Sequence, residues 1–142
     1  MDDKVLDFLK SNRVCCLATQ LKDGSPHTAA LHFSHTLDPF ALYFSTQNSS
    51  RKYQALAEGK SVKGSVTVGF SEQEWITLQM DGEVSTVSDP EELKSAKAIH
   101  YPKHPKSQEF ENNPATVFLM FTPTWWRYTD INTHPATYIN SI

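Results

Sequence analysis

The chain has 142 residues, with 13 basic against 16 acidic side chains and a net charge of −3. That length suits a single core, and that balance gives no overall field to draw in nucleic acid or an anionic membrane. The longest apolar runs fall far short of the ~20 residues a membrane span requires. The start MDDKV lacks the basic and apolar regions of a secretory signal, so one cytoplasmic domain over residues 1–142 is expected.

In chain order, Asp3 to Asn12 spaces Val5, Leu6, Phe8 and Leu9 along one stripe, the pattern of a short amphipathic helix lying on a sheet. Val14 to Gln20 reads as a strand. LKDGSP supplies a turn, and His27 to His35 reads as the returning strand of a hairpin. Cys15 and Cys16 are consecutive strand residues that point to opposite faces. A disulfide between them is therefore not expected, and one should be a buried thiol. After TLDP, Phe40 to Thr46 forms a third strand, and Asn48 to Glu58 has helical spacing that ends at Gly59.

Ser61 to Phe70 and Trp75 to Val87 are long strand-like runs, the second interrupted by a bulge or bend at Asp81-Gly82. SDPEELKSAKAIHY carries the clearest helix signals: Ser88 or Asp89 to cap, Pro90 in the first turn, and Glu91 and Glu92 near the positive end of the dipole. Pro102 and Pro105 are expected to stop it. Ala115 to Thr122 is another strand, followed by TPTWWRYTD and a strand-like piece near Ala136 to Asn140. Helices scattered among mostly neighbouring strands suit an α+β domain around a largely antiparallel barrel.

Chemistry concentrates in YFSTQNSSRKYQAL, Tyr43 to Leu56. Ser45, Thr46, Ser49 and Ser50 lead into a predicted helix start, where free N–H groups and the dipole favour an anion. Arg51 adds a planar fork and Lys52 a point cation, a combination that suits a phosphate monoester. The plain alternative is an ordinary cap followed by two solvated cations. Six histidines raise the question of a metal. His32 and His35 should face opposite ways, and Pro102 should interrupt any helical pairing of His100 with His104, so no metal site is expected. Neither a Gly-x-Ser-x-Gly elbow nor a Gly-x-Gly-x-x-Gly fingerprint occurs.

The ordered pieces CLATQLKDGSPHTAALHF, LYFSTQNSSRKYQAL, ITLQMDGEVSTV and FTPTWWRYTD resemble the pyridoxamine 5'-phosphate oxidase-like, flavin-binding split-barrel family over most of the chain. The resemblance implies an α+β fold: a six-stranded, largely antiparallel split barrel with short flanking helices. It also implies a homodimer holding flavin mononucleotide (FMN) in a groove between subunits. Phosphate recognition would fall on Thr46, Ser50, Arg51 and Lys52, with Ser45 beside them. The stretch Thr28 to Phe33, Ala30 and His32 included, would meet the ring and ribityl portions. Thr77, or Gln79 on the same strand, stands near the flavin-contacting glutamine of the oxidase, and Trp126 or Trp125 near the partner's flavin.

The chain also departs from the oxidase. Ala29 stands where an arginine would help hold the phosphate, and Ser34 where a lysine would meet substrate. After Trp126, RYTDINTHPATYINSI contains no Arg-x-His clamp. Efficient oxidation of pyridoxamine phosphate is therefore not expected. The leading function is an FMN-dependent oxidoreductase acting on a small molecule, with no protein acid or base assigned. The alternative is a non-catalytic split-barrel protein that binds flavin, haem or another cofactor.

Overall fold

Helix α1 (Asp3–Ser11) begins where the Asp2 carboxylate accepts the Lys4 amide and ends where Asn12 turns extended. Its Val5, Phe8 and Leu9, spaced to share a face, close one end of the main core. The computed structural model describes residues 1–57 and 59–141. Strands β1 (Val14–Gln20) and β2 (Pro26–His32) form the expected hairpin. Gly24 supplies the positive φ of +85° in its turn. Cys15, Leu17 and Thr19 point inward on β1 and Cys16 outward; burial pushes the Cys15 thiol up to about 12.

The strand expected over His27 to His35 is in fact two. At Phe33 the chain leaves the ladder: its amide makes one last hydrogen bond in register, to the Arg13 carbonyl at 3.1 Å, but its own carbonyl turns to the His104 ring at 2.7 Å. With its ring fully buried, Phe33 is a pivot from which β3 (Ser34–Leu37) pairs with β4 (Phe40–Gln47) instead. Helix α2 (Arg51–Gln54) is a single turn where a longer helix is expected; the expected end at Glu58 lies outside the described residues. Strands β5 (Val62–Val68) and β6 (Ile76–Thr86) follow, and the ladder from β6 shifts register at Asp81/Gly82, as expected. A Cβ on Gly82 would run into the Thr122 carbonyl.

Helix α3 (Pro90–Lys103) is capped by Asp89, whose carboxylate accepts the Glu92 amide. It runs through Pro102 instead of stopping there. The proline forfeits one hydrogen bond, but the helix closes two residues later with the His104 amide on the His100 carbonyl at 2.9 Å. A 3-10 helix over Pro105–Phe110 leads to β7 (Thr116–Asp130), one unbroken strand that absorbs the TPTWWRYTD segment, and then to β8 (Thr137–Asn140).

The sheet order is β2-β1-β5-β6-β7-β4-β3, with β8 also on β7 and every pairing antiparallel. Eight strands among the described residues replace the expected six, because Phe33 divides one strand and the C-terminal segment adds another. The sheet is a curled half-barrel. Its interior holds Leu42, Phe44, Leu78, Leu119 and Phe121. A second cluster, Val87, Ala96, Tyr101 and Phe118, lies where α3 covers the outside of β4 and β7. Phe118 and Leu119, consecutive on β7, thus serve opposite layers. No helix among the described residues is long and apolar enough to cross a membrane.

Candidate functional site

A cleft of about 1040 Å³ opens where the start of β1, the end of β2, the end of β4 and the 3-10 helix meet. Known ligand pockets run from roughly 300 to 1,000 Å³. Of the residues singled out from sequence, His32, Ser45 and Thr46 line it; Arg13, His104 and Lys106 join them.

Behind His32 the imidazoles stack. His32 lies 4.9 Å from His104, centroid to centroid, and His104 lies 4.8 Å from His100. His32 is exposed, whereas His104 and His100 are buried. The expectation that Pro102 keeps His100 and His104 apart fails, because the helix tolerates the proline and i, i+4 residues then share a face. That spacing was the available signal for the pair. Ser34, where the oxidase has a lysine, is buried with its hydroxyl 2.8 Å from His100 Nδ1. Burial first, then the neighbouring His104, His32 and Lys103, pushes His100 down to about 4. Burial also lowers His104. Among the described residues, no group of three His, Cys, Asp or Glu side chains is arranged to hold a metal.

At the corner after β4, the four residues of α2 make too short a helix for the expected dipole to matter. What the corner does present is one buried hydroxyl without a partner and one largely buried lysine side chain. Ser50 Oγ is buried and has no hydrogen-bond partner. Lys52 is only 7 % exposed, burial lowers its pKa, and no ion pair or hydrogen bond engages it among the described residues. A phosphate would answer both groups, so the corner fits one. Arg51 is exposed and lines a separate hollow of about 280 Å³ shared with the β1–β2 turn. The Asp23 carboxyl in that turn is held below its usual range mainly by the Ser25 hydroxyl and amide, with Arg51 contributing least.

Ala30 is exposed on β2, a strand at the end of the sheet order whose outer edge meets no other strand among the described residues. Thr77 is half-buried opposite Thr129, away from the cleft, and Gln79 is exposed on the outer sheet face. Trp126 packs against the main core, and its amide donates to Ser141 Oγ. Trp125 points the other way, with the Arg127 guanidinium 5.5 Å from its ring. Within one chain, then, the cleft gathers His32, Ser45 and Thr46, the corner holds Ser50 and Lys52 next to Arg51, and Thr77 and Trp126 stand apart.

A model of the pyridoxamine 5'-phosphate oxidase family matches residues 1–130. The chain belongs to that family. Among curated proteins no sequence matches it. Several solved structures are similar. A conserved hypothetical protein from Mycobacterium tuberculosis shares 19 % identity over 100 % of this chain and 91 % of its own, with a TM-score of 0.73. HutZ, the haem storage protein from Vibrio cholerae, shares 15 % identity over 86 % of this chain and 89 % of its own, also with a TM-score of 0.73. A Clostridium acetobutylicum protein related to general stress protein 26, of the pyridoxinephosphate oxidase family, shares 17 % over 99 % and 96 %, with a TM-score of 0.68. Likeness at such identities establishes the oxidase-family fold and leaves the bound group to be argued from the site.

Proposed function

We propose that the protein is a cytoplasmic FMN-binding oxidoreductase that works as a homodimer, with flavin between the β2 edge and the β4–α2 corner. The observation that carries this reading is the buried, unpartnered Ser50 Oγ two residues before Lys52, a cation whose side chain is largely withdrawn from water. Leaving a buried hydroxyl unanswered costs roughly 1–3 kcal/mol, a cost that phosphate binding would offset.

Lys52 and Ser50 would hold the phosphate, Arg51 would fold over it from the exposed side, and Thr46 and Ser45 would offer hydroxyls along β4. The open main chain at Ala30 and the imidazole of His32 would meet the ring. When bound, FMN supplies the hydride or electron transfer. The chain's own contribution is to orient the flavin and limit the access of water to it.

The test is a titration of cofactor-free protein with FMN and with riboflavin, which lacks the phosphate. FMN is expected to bind at least about a hundredfold more tightly, and equal affinities would overturn the reading. Sedimentation at micromolar concentration is expected to show a species of two chains; a monomer with and without FMN would remove the shared groove.

A second reading has its own support. His32 is exposed at the mouth of the large cleft, backed by His104 and flanked by Arg13 and Lys106, an arrangement able to ligate haem iron and meet its carboxylates. HutZ is named for haem storage. Haem added to the purified protein would then give an absorbance spectrum that changes on His32→Ala, whereas the flavin reading expects no such change.

A further inference from the structure

We propose that the large cleft is a proton-coupled anion site: it takes a small ligand with a flat apolar body and a carboxylate or phosphate-ester head, and His104 gains a proton when the head group binds. The site uses Arg13, His104 and Lys106, which the flavin reading leaves without a role.

The charge distribution comes first. Arg13 enters the cleft from the link between α1 and β1, and Lys106 from the 3-10 helix, while the side chains of Val14 and Phe110 form an exposed apolar wall. No carboxylate lines the cleft among the described residues. The groups that act on His104 are His32 on β2, Lys103 on α3 and Arg13, and those on His100 are His104, His32 and Lys103. Each of these is a cation or becomes one. The nearby Cys15 thiol, at about 12, is uncharged. Lys103 itself is pushed down to about 8, chiefly by burial, with its ammonium on the Leu9 carbonyl at 3.1 Å. Such a cluster repels a proton while the cleft is empty and attracts any negative charge that enters.

The hydrogen bond to Phe33 then fixes where the proton goes. A backbone carbonyl only accepts, so His104 Nε2, 2.7 Å from the Phe33 oxygen, must carry the hydrogen. In the neutral ring this leaves Nδ1 as a bare lone pair. That atom is buried without a partner, in a residue that lines the cleft and is 2 % exposed. An anion between Arg13 and Lys106 supplies the counter-charge the cluster lacks. The proton comes from bulk water to Nδ1, Nε2–H stays on Phe33, and no other bond changes.

Benzoate is a suitable probe because it stays ionised through the neutral range, and benzyl alcohol is its uncharged counterpart. Flavin-free protein is titrated calorimetrically with each at pH 6 and pH 7, in buffers of different ionisation heat, with phenyl phosphate as the phosphate arm. Benzoate is expected to bind with net proton uptake, and its affinity to fall as the pH rises from 6 to 7. Arg13→Ala with Lys106→Ala should weaken it at least tenfold, and benzyl alcohol should not bind measurably. His104→Gln keeps a donor for Phe33 and should take up fewer protons than the wild type at pH 6, well below the Lys103 value of about 8; if that variant does not fold, the wild-type proton count at pH 6 and the Arg13/Lys106 pair decide. Binding of benzoate with no proton uptake, equal binding of benzyl alcohol, or no binding of either anion would overturn the proposal. Failure of FMN to bind would leave these results as they stand, and failure of benzoate would leave the FMN titration untouched.

Discussion

The β4–α2 corner and the mouth of the large cleft are both electropositive, yet they are assembled in opposite ways. At the corner, Ser50, Arg51 and Lys52 are consecutive, and a strand running into one helical turn is enough to bring them together. At the cleft, Arg13, His32, His104 and Lys106 arrive from separate segments that meet only in the folded chain. At the corner the Lys52 side chain is largely withdrawn from water, and burial lowers its pKa; at the cleft, burial lowers His104 in the same way, but the proposed anion would reverse it. A local cluster thus makes a fixed cation site, and a distributed one makes a site whose charge depends on its contents.

The largest expected effect bears on the corner. Arg51→Ala with Lys52→Ala removes two charge-assisted contacts at roughly 1.5–3 kcal/mol each, so FMN affinity should fall by about two to four orders of magnitude while riboflavin affinity changes little. Of the single variants, Lys52→Ala should lose more than Arg51→Ala, because only Lys52 is desolvated. Equal single losses, measured by fluorescence titration, would erase the distinction between a buried and a solvated cation.

Acid should act on the histidine stack. The folded-state pKa of His100, about 4, lies below the ordinary value of about 6.5, so folding favours the neutral ring. That stability is present above about pH 6.5 and is lost as the pH falls towards 4, on the order of 3 kcal/mol in all. Denaturant unfolding at pH 7.5, 5.5 and 4.5 measures the slope, which His100→Asn should flatten. A slope unchanged in that variant would place the acid sensitivity elsewhere.

A smaller effect separates stability from binding. Ser50→Ala deletes a buried hydroxyl that has no partner, so the cofactor-free protein should be as stable or up to about 1 kcal/mol more so, while FMN binds more weakly. A loss of stability would mean that the hydroxyl serves the fold.

The smallest signal is expected from pyridoxamine and pyridoxine phosphates under air, with kcat/KM below the usual enzyme range of ~10⁴ M⁻¹s⁻¹ and above. Ser34 is tied to His100 inside the protein and cannot stand in for a substrate-binding lysine. Turnover within that range would mean that a second phosphate site exists over the flavin.

Much of the scaffold was legible in the sequence because its signals are local. Gly24 in LKDGSP announces the β1–β2 hairpin, Asp89 and Pro90 announce α3, and Asp81-Gly82 marks the register shift. Phe33 was not legible as a break, since what draws its carbonyl out of the ladder is the His104 ring, distant in sequence. The same holds for the cleft: nothing near Arg13 or Lys106 foretells the other. Pro102 misled in a different way, because a proline rule about hydrogen bonds was read as a rule about helix ends. The strand-to-helix corner was readable as a cluster of residues, but the burial of Lys52 and the isolation of Ser50 Oγ depend on packing that no spacing reveals.

Strand β7 carries an implication for how the protein is made. It pairs with β6 along nearly its whole length, with β4 beside its first half and with β8 beside its last residues. In the sheet order, β4 and β3 reach β6 only through β7, although they are synthesised long before it. While the chain is still being translated, β1, β2, β5 and β6 can pair among themselves, but the edge of β6 stays open and the β3–β4 hairpin lacks its place. Contacts of such long sequence separation form late, and an unpaired strand edge invites wrong partners in the meantime. Ser45 and Thr46, the β4 residues of the cleft, are held in register by Phe118 and Val117 of β7. A nascent chain therefore has no formed cleft until β7 has been released and paired, so any ligand capture comes after that step and cannot guide it.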